Sequence, residues 1–128
     1  MKLLLDTHVV IWWVMNDPRL PQRIDDQIVS QNNQIYVSAA TAWEIAIKVR
    51  TGKLKFDTAF LADFDNRLNE LAFLTIVMTS AHGIAAAQLP GTHKDPFDRM
   101  IGAQAQLEQM TLASIDPAFK SLGVATIW

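Results

Sequence analysis

The chain has 128 residues, of which half are hydrophobic and 19% are charged, with a net charge near −2 and no cysteine. This composition predicts one globular domain, residues 1–128, and excludes a disordered chain, a disulfide framework and a thiolate metal site. The apolar run at the N-terminus is too short for a signal peptide, and no stretch is long enough to cross a membrane, so we expect a cytoplasmic protein. The small negative charge argues against a broad phosphate-binding surface, but it is compatible with a metal held by carboxylates.

Short apolar runs alternate with segments of helical character along the whole chain. The predicted strands, in chain order, are 3–5, 35–37, 74–78, 111–115 and 124–127. The predicted helices are 9–15, 21–30, 39–50, 58–71, a short helix with Ser80 as its N-cap, and a long helix that begins at Asp95 and runs to about Gln109. This alternation predicts a three-layer α/β/α fold with a central, mainly parallel sheet of about five strands and helices on both faces.

Acidic residues recur where the predicted strands and helices meet. Asp6 and Asp116 directly follow the first and the fourth strand. Glu44 lies in the most apolar helix, and Asp95 and Asp98 lie at the start of the long helix. Because ligands bind at the carboxyl edge of an open parallel sheet, we expect Asp6 and Asp116 to share a site there, with Glu44 and Asp98 directed to the same edge.

Each acid taken alone also has a purely structural interpretation. Asp6 is placed to cap the helix that follows it. Glu44 is placed to pair with Lys48 four residues later, on a solvated helix face. Asp95 precedes a proline, as an N-cap often does, and Asp98 three residues later would offset the helix dipole. These interpretations do not explain why the acids recur at one edge of one sheet.

Clustered carboxylates raise each other's pKa unless a cation is present. Oxygen ligands of this kind suit Mg²⁺ or Mn²⁺ and do not suit zinc. Such an ion activates water and stabilises a phosphodiester during in-line displacement. The sequence therefore predicts metal-dependent hydrolysis of a phosphodiester, with the carboxylates converging on one point.

Three blocks of the sequence resemble a PIN-domain protein, and in particular the VapC-like toxins of type II toxin–antitoxin pairs. The blocks are Leu-Leu-Leu-Asp-Thr-His at 3–8, Val-Ser-Ala-Ala-Thr-Ala-Trp-Glu-Ile-Ala-Ile-Lys at 37–48, and Lys-Asp-Pro-Phe-Asp-Arg-Met-Ile-Gly-Ala-Gln-Ala at 94–105. Together they span nearly the whole chain, in the order and at the separations that the family shows.

The resemblance implies an endoribonuclease that uses Mg²⁺ or Mn²⁺ to cleave RNA, whether tRNA, rRNA or mRNA. It implies that Asp6, Glu44 and Asp98 are the core metal-binding and catalytic acids and that Asp116 is the fourth. It leaves open whether Asp95 reaches the metal.

Four further residues have predicted supporting or substrate-binding roles. Thr7 matches a polar position beside the first acid, and Ser114 matches the hydroxyl position that accompanies the fourth. Lys48 and Arg99 are basic residues near the proposed site that could hold RNA phosphates. The segment around Asp116 is less polar than the family commonly shows, which is a departure from its pattern.

The resemblance also implies a homodimer, and a small antitoxin whose C-terminal segment covers the acidic site in a hetero-oligomer. The apolar helices over 9–15 and 39–50 offer contact surfaces for either partner. We expect Trp12, Trp13 and Trp43 to lie in the core or in an interface and not to stack on bases. The alternative function is a catalytically inactive PIN-fold module that acts only through a protein partner.

Overall fold

The computed structural model describes residues 1–128 and shows a five-stranded sheet. The strands are β1 (Lys2–Leu5), β2 (Gln34–Ser38), β3 (Leu74–Ile76), β4 (Thr111–Ala113) and β5 (Thr126–Ile127). Their order across the sheet is β3-β2-β1-β4-β5, and every neighbouring pair is parallel. The predicted α/β fold with five strands is therefore confirmed.

Eight helices connect and cover these strands. They are α1 (Thr7–Val14), α2 (Gln22–Val29), α3 (Ala39–Arg50), α4 (Thr58–Ala62), α5 (Phe64–Glu70), α6 (Ser80–Gln88), α7 (Pro96–Leu107) and α8 (Ala118–Ser121). None of them has both the length and the apolar character that spanning a membrane requires.

The central strand β1 divides the core into two layers. Leu3, Leu4 and Leu5 are fully buried, as the unbroken apolar run predicts. Leu3 and Leu5 belong to a cluster with residues of α1 to α5, whereas Leu4 belongs to a second cluster with α6, α7 and α8. Because successive side chains of a strand point to opposite faces, this one run anchors both helical layers. It also holds the residue after it, Asp6, at the carboxyl edge of the sheet.

The helix predicted over 58–71 is two helices, with Asp63 between them. Asp63 has backbone angles of −133° and 41°, which lie outside the helical region. Asp57 caps the first helix by accepting a hydrogen bond from the amide of Phe60 at 3.0 Å. The rings of Phe60 and Phe64 lie 5.5 Å apart on either side of the break, and both are buried. The break thus lets both rings pack into one core.

Other details also differ from the prediction. The strands predicted over 74–78, 111–115 and 124–127 are shorter, since β3, β4 and β5 span only 74–76, 111–113 and 126–127. The N-cap of α6 is Thr79 and not Ser80, because the Thr79 side chain accepts a hydrogen bond from the amide of His82. The short helix α8 was not predicted, since four residues carry too little periodicity to be recognised. Phe119 in α8 is fully buried, so this helix depends on tertiary packing.

The two helices predicted as contact surfaces have different exposure. The helix predicted over 9–15 faces the core, because Val9, Val10, Ile11 and Trp12 of α1 are all buried. That segment is therefore not available as a broad contact surface. On α3, Trp43 has 58% of its surface exposed, and this helix keeps a solvent-facing apolar side chain.

Candidate metal centre

Asp6 is held rigidly between β1 and α1. It is the N-cap of α1, and its Oδ1 accepts a hydrogen bond from the amide of Thr7 at 2.7 Å. Its Oδ2 accepts a hydrogen bond from the hydroxyl of Ser114 at 2.7 Å. Asp6 is buried, and both of its oxygens are oriented by neighbouring groups. The capping interpretation is confirmed, and it is compatible with a ligand role because a carboxylate oxygen has more than one lone pair.

The electrostatic surroundings of Asp6 link it to Glu44. Burial raises the pKa of Asp6 above its ordinary value, and the negative charge of Glu44 raises it further. Hydrogen bonds from Ser114 and Thr7 and the charge of His8 lower it in part. The carboxylates of Asp6 and Glu44 therefore lie in one electrostatic environment, although 38 positions separate them in the chain.

Glu44 lies on α3 and is buried, and only one of its two carboxylate oxygens has a partner. Its Oε2 pairs with the ammonium of Lys48 at 2.9 Å, as the four-residue spacing predicts. Its Oε1 is buried and has no hydrogen-bond partner. The pair with Lys48 therefore does not lie on a solvated face, and one carboxylate oxygen is left with an uncompensated desolvation cost.

A pair of threonine hydroxyls joins the helices that carry Asp6 and Glu44. Thr7 Oγ1 and Thr41 Oγ1 lie 3.1 Å apart, and both residues are buried. Thr41 precedes Glu44 by three residues, so both lie on one face of α3. The sequence prediction included Thr7 but missed Thr41, although that spacing was available as a signal.

The start of α7 brings two more carboxylates to the site. Asp95 is the N-cap, and its Oδ1 accepts hydrogen bonds from the amides of Phe97 at 2.9 Å and Asp98 at 3.3 Å. The predicted cap is confirmed, with Pro96 at the first helical position. Asp98 Oδ2 lies 2.8 Å from Nε2 of His93, a loop residue whose contact was not predicted.

The pKa of Asp98 reflects the other acidic residues near it. Burial raises the pKa of Asp98 to about 6, and the charges of Asp95, Asp6 and Asp116 raise it as well, whereas the hydrogen bond with His93 opposes this. Asp95, Asp6 and Asp116 therefore lie near enough to Asp98 for their charges to act on it, at the carboxyl edge of the sheet. We call Asp6, Glu44, Asp95, Asp98 and Asp116 the acidic cluster.

Ser114 connects the fourth acid to the first. The amide of Asp116 donates to Ser114 Oγ at 3.0 Å, while the Ser114 hydroxyl donates to Asp6. The carboxylate of Asp116 is partly exposed, and its Oδ1 accepts a hydrogen bond from the amide of Ala118 at 2.9 Å. Ser114 thus contacts both acids, and its supporting role stays a prediction.

The acidic cluster is not arranged as a complete set of metal ligands. No group of three or more acidic or histidine side chains lies close enough together to hold an ion. The predicted convergence on one point is therefore not reached, and Glu44, Asp98 and Asp116 each bind another group. The donor set still fits a hard divalent cation, since it consists of carboxylate oxygens and includes the unpartnered Oε1 of Glu44.

Arg99 supports a loop beside the site. Its guanidinium donates to the carbonyl oxygens of Ala86 at 2.9 Å and His93 at 3.0 Å, and also to that of Leu89. These contacts tie the end of α6 to the loop that carries His93, the partner of Asp98. Of the two roles predicted for Arg99, this geometry favours support, because its donors are occupied by the protein.

The three tryptophans near the N-terminal half occupy different environments. Trp12 is buried and Trp13 is half-buried against Phe73, with ring centroids 5.1 Å apart. Trp43 is exposed and contacts Phe97 edge-on at a centroid distance of 5.1 Å. The expectation of a core or interface position is therefore confirmed for Trp12, which lies in the core, and stays a prediction for Trp43, whose exposed ring is open to an interface.

Comparison with solved structures places this architecture among known folds. The chain is similar to FitAcB from Neisseria gonorrhoeae, with 21% identity, a TM-score of 0.69, and 98% of this chain and 96% of that chain covered. It is similar to VapBC2 from Rickettsia felis, solved bound to a DNA fragment from the promoter, with 18% identity, a TM-score of 0.72, and 99% and 98% covered. VapBC-1 from nontypeable Haemophilus influenzae gives 17% identity, a TM-score of 0.69, and 99% and 97% covered.

Sequence comparison establishes the family. No curated protein matches the chain at a significant level. The family model for the PIN domain matches residues 3–125, which includes every member of the acidic cluster. The chain belongs to the PIN-domain family.

Proposed function

We propose that this protein is an endoribonuclease that depends on Mg²⁺ or Mn²⁺. The observation that carries this proposal is the acidic cluster, in which burial and mutual repulsion raise the pKa of Asp6 and Asp98. Glu44 adds a buried carboxylate oxygen with no partner. A bound dication would relieve the repulsion between the buried carboxylates, because it neutralises their charge. It would also supply the missing contact of the Glu44 oxygen.

Membership of the PIN-domain family supports the reaction class, since nuclease activity is typical of PIN domains. RNA is the proposed substrate because the three sequence blocks resemble VapC-like toxins. The near-neutral charge is compatible with this, since an ion at the acidic cluster would present positive charge to a phosphodiester.

Asp6, Glu44 and Asp98 are the residues that would hold the ion. Asp116 would hold a second ion or orient the attacking water, and Asp95 would act mainly as the cap of α7. When bound, Mg²⁺ or Mn²⁺ would lower the pKa of water and stabilise the charge of the phosphodiester during displacement.

The other residues of the site orient these acids. Ser114 and the amide of Thr7 fix the two oxygens of Asp6. The hydroxyl pair of Thr7 and Thr41 sets the spacing between α1 and α3. His93, itself held through its carbonyl by Arg99, orients Asp98. Such contacts around ligands commonly contribute 10- to 100-fold to affinity or activity.

We further propose that the protein is the toxin of a VapBC-like pair in the cytoplasm and binds a small antitoxin. Similarity in fold to chains of VapBC and FitAB structures supports this. Exposed apolar side chains on α3 and after β3, among them Trp43, Val77 and Met78, give a protein partner or a second copy apolar surface to bury. Co-purification with the product of the neighbouring gene, followed by light scattering, would measure both partners.

The decisive test of the nuclease is a comparison of Asp6→Asn with Asp26→Asn. Both variants remove one negative charge, but Asp26 is exposed on α2 and lies outside the acidic cluster. Asparagine at position 6 preserves the helix cap, so we expect the variant to fold. Cleavage of RNA in Mg²⁺ or Mn²⁺ should fall by about 100-fold or more in Asp6→Asn and remain unchanged in Asp26→Asn.

Two results would contradict the proposal. The first is a purified protein, supplied with either metal, that cleaves no RNA, which would favour a binding module that acts through its partner. The second is equal cleavage by Asp6→Asn and the wild type. A thermal shift with Mn²⁺ gives an independent readout: the ion should raise the Tm of the wild type and leave that of Asp6→Asn unchanged.

A further inference from the structure

A cavity of about 530 Å³ opens directly beside the acidic cluster and is not accounted for by the proposed metal ligands. Ser114 and Asp116 form one wall, and Thr126 and Trp128 lie in another. Its volume is within the range of pockets that hold small organic ligands. A larger cavity, of about 640 Å³, is lined by residues of α3, α4 and α5 and contains no member of the acidic cluster.

Lys120, which also lines this cavity, brings a positive charge to it. It lies in α8 and is exposed, and it takes part in none of the four ion pairs of the protein. By contrast, Lys48 is occupied by Glu44 and Arg99 by backbone carbonyls. Lys120 is therefore a cation in the wall of the site that is free to bind an anion.

We propose that this cavity holds the nucleotide next to the cleaved phosphodiester, with Lys120 on a backbone phosphate. The inference rests on the proposed ribonuclease function. A strand whose phosphodiester lies at Asp116 passes the mouth of the cavity, because Asp116 is part of its wall. The mixed lining suits a nucleotide: the Lys120 ammonium and the Thr126 hydroxyl meet phosphate and sugar, and Ile115, with 56% of its surface exposed, contacts the ribose or base.

The test measures binding in the Asp6→Asn background, so that it does not depend on cleavage. Fluorescence anisotropy of a labelled single-stranded RNA is followed as a function of salt concentration. Lys120→Gln should weaken binding about 5-fold near 0.1 M salt and lower the slope of log K against log salt by about 0.7, the value for one phosphate contact to a single strand.

Lys2→Gln is the matched control for charge. Lys2 is an exposed lysine at the start of β1, on the opposite edge of the sheet from Asp6, and its substitution changes the net charge equally. Lys2 and Asp6 are four strand positions apart, which corresponds to about 13 Å. This distance exceeds the Debye length of about 10 Å at 0.1 M salt. The salt slope of Lys2→Gln should equal that of the parent variant.

Ile115→Ala tests the apolar part of the cavity, with Val29→Ala as its control. Val29 has 62% of its surface exposed at the end of α2 and does not line the cavity. Ile115→Ala should weaken RNA binding about 3-fold without changing the salt slope, because it removes apolar contact and no charge. Val29→Ala should leave both quantities unchanged.

The proposal is overturned if Lys120→Gln and Lys2→Gln shift the salt slope equally, since Lys120 would then act only through net charge. It is also overturned if Lys120→Gln changes binding of the antitoxin and leaves RNA binding intact, which would assign the cavity to an acidic segment of that partner. Either result leaves RNA cleavage by the wild type in place. Failure of the ribonuclease function itself would appear differently, as wild-type protein that neither binds nor cleaves RNA.

Discussion

The two ends of helix α7 each carry a histidine–carboxylate pair, yet their surroundings differ. At the N-terminal end, His93 Nε2 lies 2.8 Å from Asp98 Oδ2, and burial together with the charges of three other carboxylates raises the pKa of Asp98. At the C-terminal end, His82 Nε2 lies 2.9 Å from Glu108 Oε1, and His82 also completes a capping box with Thr79. The two contacts have nearly the same length, but they differ in the solvation and the charge that surround the carboxylate.

The C-terminal pair stabilises the fold. The amide of Thr79 donates to Nδ1 of His82 at 3.1 Å, so the proton of the neutral ring lies on Nε2 and points to Glu108. The ring is buried, whereas 44% of the Glu108 side chain is exposed, so the carboxylate remains solvated. In contrast, Asp98 is desolvated among like charges. A histidine–carboxylate contact alone therefore does not distinguish a candidate site from a structural contact, whereas the uncompensated charge around Asp98 makes that end of the helix the candidate.

RNA cleavage should distinguish Asp98 from Glu108 more strongly than any other measurement. Asp98→Asn should lower RNA cleavage by about 100-fold or more, because it removes a proposed ligand charge while asparagine can still accept a hydrogen bond from His93. Glu108→Gln, the same kind of change at the other end of the helix, should stay within about 2-fold of the wild type. Initial rates at saturating Mg²⁺ measure both. Similar losses in the two variants would contradict the distinction between the pairs.

For stability, the C-terminal pair should matter more than the N-terminal pair, so replacing His82 should cost more than replacing His93. His82→Ala leaves a cavity and removes the acceptor for the Thr79 amide, so the free energy of unfolding in urea should fall by about 2–3 kcal/mol. His93→Ala should cost less than about 1 kcal/mol, because 27% of this side chain is exposed and solvent can replace its contact. Cleavage per folded molecule should be unchanged in His82→Ala and reduced in His93→Ala. A His82→Ala variant as stable as the wild type would show that the C-terminal pair does not support the fold.

Much of this architecture was predictable because its signals are local. The run Leu3–Leu5 is short and unbroken, as buried parallel strands are, and its burial is complete. The cap at Asp95 followed from the proline after it. The placement of Asp6 and Asp116 at one edge needed only the rule that parallel strands end on the same side.

The remaining contacts were not predictable because they depend on tertiary packing. Ser114 bonds to Asp6 across 108 positions of the chain, and no local pattern encodes that pairing. Arg99 was expected near the site, but its binding to backbone carbonyls depends on where α6 ends. The spacing of Glu44 and Lys48 predicted their ion pair but not its burial, which depends on what α3 packs against. The partners that the carboxylates of Glu44, Asp98 and Asp116 bind are likewise fixed by tertiary packing.

The smallest expected effect is the pH dependence of stability at the N-terminal end of α7. In the unfolded chain the pKa of Asp98 returns to its ordinary value of 3.8, whereas in the folded protein it is about 6. The folded state therefore binds the proton more tightly, and the contribution of Asp98 to the free energy of unfolding increases as pH falls from about 6 toward 4. Asp98→Asn, which is neutral throughout, should be more stable than the wild type at pH 7.5 in the presence of a chelator, by about 2 kcal/mol once solvent screening of the partly exposed carboxylate reduces the full effect of about 3 kcal/mol. This difference should shrink toward zero near pH 4, as urea titrations at several pH values would show. Glu108→Gln should show no such convergence, and a constant difference for Asp98→Asn across the range would mean that the carboxylate is not destabilised by its neighbours.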